Sequence, residues 1–196
     1  MNLNKFIYVN ENSIDSDLCK KIITMYEEQE NKYQGNTAGG VNTNIKNTLD
    51  FIIPDNNTDC ALKWSKINIF LKEELTRNLI KYKNSLEADY SEYQIISDQL
   101  ITVNFMIQKY TKQCGKYNYH HDFTIDYENR KHRVITYIFY LNDVEEGGET
   151  EIWGGNVKIK SKAGKLLLFP SCWTFPHRGV MPISDNKYII TGWLYQ

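Results

Sequence analysis

The sequence predicts an α+β fold in which helices from the first half of the chain cover one face of a jelly roll, a double-stranded β-helix. In the first half, apolar residues recur every three or four positions over two long stretches. From about residue 99 they alternate or form short runs between glycine, proline and asparagine turns, a pattern typical of a double-sheet jelly roll. A chain of 196 residues is enough for one sizeable core. We therefore expect a single domain over 1–196, with a helical support region over about 1–98 and the jelly-roll core over about 99–196.

Two helices are expected in the first half. The first spans Asp15–Gln29, with candidate N-cap residues in Ser13–Ser16. The second spans about Asp59–Leu86 and carries a long apolar stripe, which indicates core packing. Between them, the polar and glycine- and asparagine-rich stretch Gln34–Asn47 reads as a loop long enough to have a function.

The second half is expected to consist of short strands. Ile101–Ile107 alternates apolar and polar residues, which predicts a strand with one buried face. Val134–Leu141 is an almost continuous apolar run and predicts a buried strand. The remaining candidates are Glu149–Trp153, Val157–Ile159, Lys165–Phe169 and Tyr188–Tyr195.

Charge, cysteine spacing and the N-terminal sequence indicate which classes of partner and which cellular compartment to expect. The formal net charge is −1, so the whole chain has no electrostatic attraction to nucleic acid or to an anionic membrane. Cys19, Cys60, Cys114 and Cys172 are widely spaced, which indicates reduced thiols rather than a zinc knuckle or a disulfide framework. The N-terminus lacks the apolar run of a signal peptide. We expect a cytoplasmic protein with no nucleic acid or membrane partner, and the sequence leaves its oligomeric state open.

Histidine and aspartate residues suggest a metal site. In the run His120-His121-Asp122, residues two apart on a strand face the same side, so His120 and Asp122 can share one ion. His177 can return from a later strand as the third ligand. Two imidazoles and one carboxylate on one face of an octahedron are the ligand set of non-haem Fe(II) oxygenases, with positions left open for substrates. His121 is expected to face away, and His132 to lie in a solvated basic loop.

Two runs flanking these residues resemble the prolyl-4-hydroxylase-like oxygenases. RVITYIFYLNDVEEGGET, Arg133–Thr150, is similar to the strand and Gly-Gly-Glu-Thr turn that follow the metal-binding pair in that family. HRGVMPISDNKYIITGW, His177–Trp193, is similar to its closing segment, with a lysine ten positions after the histidine and a terminal Thr-x-Trp. A tyrosine, Tyr110, also stands ten positions before His120, as is common in the family. The resemblance covers about Phe105–Trp193.

The resemblance implies roles for individual residues. It implies that His120, Asp122 and His177 bind iron, that Lys187 pairs with the distal carboxylate of 2-oxoglutarate, and that Tyr140, Thr191 and Tyr110 provide accompanying hydroxyls. The implied cofactors are Fe(II), 2-oxoglutarate and O2. The reaction that the resemblance implies is hydroxylation of a C–H bond coupled to decarboxylation of 2-oxoglutarate to succinate. The intact carboxylate of Asp122 favours hydroxylation over halogenation, because related halogenases lack it so that chloride can bind.

The substrate is expected to be a protein or peptide, hydroxylated at proline, with Arg130, Arg133 and Trp193 as candidate contacts. Two departures bear on this expectation: Ile152–Gly155 stands where the family often has Phe-Pro, and Lys46-Asn47-Thr48 is only a loose counterpart of an Arg-Ser pair.

Three alternatives remain open. An oxygenase of free amino acids or other small molecules would share the site, and a nucleic-acid-repair oxygenase would share the triad but typically has arginine in place of Lys187. A non-catalytic jelly-roll binding protein would be expected to lack part of the triad or the 2-oxoglutarate cation, and this chain has both.

Overall fold

The computed structural model describes residues 3–55, 59–88, 94–128 and 130–196; the side chains of residues 59 and 60 lie outside the described part. It contains the two expected helices, α1 (Ser16–Glu27) and α2 (Asp59–Glu87), and two short 3-10 helices, Leu3–Phe6 and Trp153–Gly155. The first-half strands are β1 (Tyr8–Asn10), β2 (Tyr33–Gln34), β3 (Lys46–Asn47) and β4 (Leu49–Ile52). The second-half strands are β5 (Ile101–Thr102), β6 (Met106–Tyr110), β7 (Lys116–His120), β8 (Ile125–Asp126), β9 (Lys131–Tyr140), β10 (Thr150–Ile152), β11 (Val157–Ile159), β12 (Leu166–Pro170), β13 (His177–Gly179) and β14 (Lys187–Tyr195).

The strands form two facing sheets, as the jelly-roll prediction requires. Within the described residues, the larger sheet runs in the order β1-β12-β9-β14-β6-β4-β2, with β5 added to β14 and β8 to β9. The smaller sheet runs in the order β11-β10-β13-β7-β3. Neighbouring strands in both sheets are antiparallel, and the prediction of the α+β fold class is confirmed.

The central strands of the larger sheet separate two cores. On β9, Tyr137 and Phe139 pack toward the helices, whereas Ile138 and Tyr140 pack toward the smaller sheet. The alternation follows from the two-residue period of a strand. The helices supply the other half of the first core with fully buried side chains such as Trp64 of α2. The helices thus cover one face of the larger sheet, and the other face is left to line the interior between the sheets.

Local sequence explains where α1 begins. The Asp15 carboxylate accepts hydrogen bonds from the backbone N–H groups of Asp17 and Leu18, at 2.8 and 3.4 Å, and so satisfies free donors of the first turn. One face of the helix is buried by Cys19, Ile22 and Tyr26. The predicted capping region is therefore correct.

Two expectations about secondary structure are wrong. The first half is not only helical, because β1 to β4 join both sheets. The alternating run Ile101–Ile107 is not one strand: β5 ends at Thr102 and β6 begins at Met106, and residues 103–105 belong to neither strand. Strand pairing across the two sheets is set by contacts distant in sequence, which the local pattern does not contain.

Cysteines and membrane-spanning segments complete the description. Cys19, Cys114 and Cys172 are free thiols, and the side chain of Cys60 lies outside the described residues. In the part of the chain that the structure describes, no helix combines the length and apolar character needed to cross a bilayer.

Candidate metal centre and co-substrate cavity

Three predicted ligands meet at the edge between two paired strands. His120 ends β7, His177 begins β13, and the two residues are direct partners across the smaller sheet. Asp122 lies between them: its Oδ1 is 3.5 Å from His120 Nε2 and its Oδ2 is 3.4 Å from His177 Nε2. One ligand atom from each residue lies within 4.8 Å of the others, a spacing that can hold a metal ion.

Asp122 reaches this position differently from the prediction. Strand β7 ends at His120, so the two residues do not project from one continuous strand. Asp122 is held instead by β9, because the Thr136 hydroxyl donates a hydrogen bond of 2.7 Å to Asp122 Oδ2. Thr136 is in turn 3.0 Å from the Ser171 hydroxyl. The carboxylate is thereby fixed from the larger sheet, while both histidines come from the smaller one.

Hydrogen bonds set both histidines in the form that binds metal. His120 Nδ1 is 2.8 Å from the Asn118 carbonyl oxygen, and His177 Nδ1 is 3.1 Å from the Phe175 carbonyl oxygen. Because a carbonyl can only accept, Nδ1 carries the proton in each ring and donates it. The Nε2 lone pairs then face Asp122 and are free for a cation.

The charges of the triad suit a divalent metal. Burial would raise the pKa of the Asp122 carboxyl, but His177 and His120 outweigh it and hold this pKa well below its usual value. Burial lowers the pKa of His120, which favours the neutral imidazole. An ionised carboxylate and two imidazole nitrogens are the donor set that non-haem iron sites use, and the residues present fit Fe(II). His121 is exposed and does not belong to the group.

A cavity of about 730 Å³ opens beside the triad. Its wall includes inward-facing residues of β6 and β14, the metal ligands, and Asn36 to Gly39 of the loop that the sequence singled out. This volume is in the range of small-molecule sites.

Lys187 provides a buried cation in this cavity. Its side chain is 1% exposed, and its ammonium lies 4.9 Å from the ring centre of Tyr110 and 5.5 Å from that of Tyr140. No carboxylate among the described residues forms an ion pair with it. Burial lowers the pKa of Lys187 to about 7, against a weak opposing effect of Glu149. A buried cation without a partner is a ready site for an anion.

Arg178, the alternative cation for 2-oxoglutarate, is already paired. Its Nε and one terminal nitrogen contact Glu151 Oε2 at 2.7 and 2.6 Å. Of these two candidates, Lys187 is therefore the cation that forms no ion pair with a carboxylate among the described residues.

The three predicted hydroxyl residues occupy different positions. Tyr110 and Thr191 line the cavity. Tyr110 donates to Gln108 Oε1 at 3.4 Å, and Thr191 donates to the Tyr137 carbonyl oxygen at 2.9 Å. The Tyr140 hydroxyl donates to Thr150 Oγ1 at 2.7 Å, so Tyr140 approaches Lys187 through its ring.

Of the three candidate substrate contacts, two line the cavity and one does not. Arg133 and Trp193 line the cavity, and the Arg133 guanidinium lies 3.4 Å from the centre of the Trp193 ring. Arg133 also donates to the Asp122 carbonyl oxygen at 3.4 Å. Arg130 is exposed and is not part of the cavity wall.

A charged pair that the sequence did not predict includes Lys46, which lines the cavity. Lys46 Nζ is 2.8 Å from Asp50 Oδ2, and both side chains are almost fully buried. Gln108 donates to the same carboxylate oxygen at 3.1 Å. Lys46 was considered only as a loose counterpart of an arginine, and no local pattern indicates its pairing with Asp50, because the two residues lie on separate strands, β3 and β4.

Comparison with known proteins agrees with this site. Residues 105–195 match the family model described as the 2OG-Fe(II) oxygenase superfamily. This match includes all three residues of the His-Asp-His triad, so the second half of the chain is similar to that superfamily in the region of the metal site.

The chain is also similar, over part of its length, to two curated plant proteins. It is 33% identical to "Probable prolyl 4-hydroxylase 10" of Arabidopsis thaliana over a match covering 40% of this chain and 37% of that protein. It is 31% identical to "Probable prolyl 4-hydroxylase 3" of the same plant, covering 41% and 38%. The chain thus spans less than two fifths of the length of these curated relatives.

Solved structures extend the likeness to the whole fold. A prolyl hydroxylase from Trichoplax adhaerens, solved with a hypoxia inducible factor peptide fragment, has a TM-score of 0.68 at 20% identity, covering 97% of this chain and 84% of that one. The viral collagen prolyl hydroxylase of Paramecium Bursaria Chlorella virus-1, solved as a 2-oxoglutarate complex, has a TM-score of 0.66 at 16% identity, covering 97% and 96%. At these identities the likeness shows the fold.

Proposed function

We propose that this protein is a Fe(II)- and 2-oxoglutarate-dependent dioxygenase that hydroxylates a peptidyl proline. The observation that carries the proposal is the presence, in one cavity, of a His-Asp-His triad and a buried lysine, Lys187, that has no carboxylate partner among the described residues. Iron with 2-oxoglutarate and O2 supplies oxidative chemistry, in which 2-oxoglutarate becomes succinate and a substrate C–H bond becomes C–OH.

The residues of the chain hold and orient these components. His120, Asp122 and His177 would hold the metal from one side, leaving the cavity side open for substrates. Lys187 would bind the distal carboxylate of 2-oxoglutarate, with Thr191 and Tyr110 beside it. Ile189 lines the cavity between Lys187 and Thr191 on β14. Its apolar side chain would exclude water from the space around the methylene groups of 2-oxoglutarate.

The proposed substrate is a peptide because the cavity is bordered by side chains suited to an extended chain. Tyr33, Ile45 and Phe123 line it and are each more than a third exposed, so apolar surface continues from the cavity to solvent. Arg133, stacked on Trp193, offers hydrogen-bond donors at the same border for peptide carbonyl groups. A prolyl hydroxylase of similar fold has been solved in complex with a peptide fragment, which supports the same substrate class.

The test is a comparison of substrates. The purified protein is supplied with Fe(II) and 2-oxoglutarate and offered proline-containing peptides or free L-proline, while succinate and a mass gain of about 16 Da are followed. Hydroxylated peptide is the expected product. Turnover of free proline but of no peptide would overturn the peptide substrate and favour a small-molecule oxygenase. A protein that binds 2-oxoglutarate but turns over nothing would favour a binding role.

A further inference from the structure

A charge network centred on a buried carboxylate lies on the side of the smaller sheet that faces away from the core between the sheets. Its centre is Glu151 on β10, which is 4% exposed. Glu151 Oε2 accepts hydrogen bonds from Arg178, at 2.7 and 2.6 Å, and from the Tyr119 hydroxyl, at 3.3 Å. Glu151 Oε1 is 3.0 Å from Lys158 Nζ. One carboxylate therefore connects β11, β10, β13 and β7, which are all neighbours in the sheet.

The strand register places this network behind the metal ligands. Glu151 pairs directly with Arg178, and the next residue, Ile152, pairs with His177. Ile152 belongs to the core between the sheets, so Glu151, one residue earlier, faces the other side. Arg178 follows the ligand His177 in sequence and is bound to Glu151 on that opposite side.

The same network contacts an irregularity in the pairing of β13 with β7, and this irregularity sets the direction of the His120 side chain. Between the pairs His177–His120 and Gly179–Tyr117, one residue of β13 faces two residues of β7, Asn118 and Tyr119. An extra residue of this kind is a β-bulge, which changes the side toward which later side chains point.

The effect of the bulge on His120 is visible in its contacts. Residues three apart in a regular strand face opposite sides. Here Tyr117 and His120 are on the same side, and their rings stack at 3.5 Å with an angle of 17°. The first bulge residue, Asn118, accepts the Nδ1–H of His120, and the second, Tyr119, donates to Glu151 and lies beneath the Arg178 guanidinium at 5.1 Å.

We propose that Glu151 is a positioning residue for the metal centre: through Arg178 and Tyr119 it holds β13 and the bulged end of β7 in the register that directs His177 and His120 at one ion. The proposal rests on the metal site of the proposed function. Burial would raise the pKa of the Glu151 carboxyl, but Lys158 and Arg178 outweigh it and lower this pKa, so the group stays ionised and the network intact at neutral pH.

The decisive variant is Arg178→Met. A purely electrostatic effect of Arg178 and a positioning effect predict opposite changes in metal affinity for this variant. Removing a positive charge near the site should by itself tighten the binding of a divalent cation. Loss of positioning should weaken it, by about tenfold or more, as for other groups that orient metal ligands. Binding of Mn(II) and Co(II) to the metal-free protein is measured by calorimetry, and the visible spectrum of bound Co(II) reports the ligand geometry.

Lys158→Met is the matched control. It removes the cation at the other oxygen of Glu151 and leaves the contacts of Arg178 and Tyr119 in place. We expect its Mn(II) affinity to stay within about twofold of the parent, with an unchanged Co(II) spectrum. Equal weakening in Lys158→Met and Arg178→Met would overturn the specific role of the β13–β7 contacts.

The remaining outcomes distinguish a failure of the proposed function from a failure of the positioning role. If the parent protein binds no metal, the proposed function fails; if it binds metal and Arg178→Met binds equally or more tightly, the positioning role of Glu151 fails. Circular dichroism of the metal-free variants shows whether they fold. Should Arg178→Met not fold, the decision passes to Tyr119→Phe, which removes one hydroxyl from a half-exposed position. Weaker Mn(II) binding with an altered Co(II) spectrum then supports the proposal, and unchanged values overturn it.

Discussion

Replacing Lys187 with methionine keeps the length of the side chain and removes its charge. Burial lowers the pKa of Lys187 from 10.5 to about 7, so the folded protein disfavours the ammonium by about 5 kcal/mol. A carboxylate placed against Nζ supplies the missing partner. Removing one member of a buried charge pair costs roughly 3–5 kcal/mol, which corresponds to a hundredfold or greater loss of 2-oxoglutarate affinity.

The lowered pKa of Lys187 also makes the binding of 2-oxoglutarate dependent on pH. Above about pH 7 the free protein holds Lys187 mostly neutral, and binding then has to take up a proton. The dissociation constant for 2-oxoglutarate should therefore rise with pH above about 7, by at most about tenfold per pH unit, and be nearly constant below it. In Lys187→Met this slope should be absent.

Calorimetry of 2-oxoglutarate binding to the Mn(II)-loaded protein between pH 6 and 9 measures both effects. Lys109→Met is a suitable control, because Lys109 lies on the neighbouring strand β6 but pairs with Glu27 on the helix side. Its 2-oxoglutarate affinity should match that of the parent. If Lys187→Met binds 2-oxoglutarate as tightly as the parent while Mn(II) affinity is also unchanged, the assignment of the cation is refuted.

Four further substitutions test the metal site and the packing beside Lys46. His177→Ala should abolish Mn(II) binding in calorimetry, whereas His121→Ala should retain it; equal loss in both would mean that the ligands are misassigned. Thr136→Val removes the 2.7 Å hydrogen bond to Asp122 and should weaken Mn(II) binding by about tenfold, with unchanged affinity counting against that contact. Gly35→Ala places a methyl carbon 2.1 Å from Thr48 Oγ1, and chemical denaturation should show a loss of about 1–3 kcal/mol; parental stability would contradict the close packing.

The sequence predicts the fold class and the metal triad because both depend on patterns carried by neighbouring residues. The helices follow from apolar stripes, and β9 and β14 from apolar runs that remain in register over many residues. Lys187 was found only through resemblance, since a lysine after a turn has no local signal that it is buried. Its burial comes from Tyr110 and Tyr140 on two other strands.

Contacts between distant parts of the chain were not predictable in the same way. The pairing of Lys46 with β7 depends on β3 crossing to the smaller sheet, which no pattern within the loop indicates. The bulge at Asn118 and Tyr119 depends on the partner strand β13. Asp122 lies beside His120 and His177 as predicted, but the geometric reason given for this does not hold, since its position is fixed by Thr136 from the other sheet.

The alternation along β14 has a consequence for how this protein tolerates change. Lys187, Ile189 and Thr191 face the cavity, whereas Tyr188 and Ile190 face the core beneath the helices. Adjacent positions of β14 therefore have separate roles: one set serves the chemistry of the cavity, and the other stabilises the fold. Variants at the second set can tune thermal resistance without touching the reaction, whereas an insertion or deletion of a single residue in this strand would exchange the two sets and destroy both properties at once.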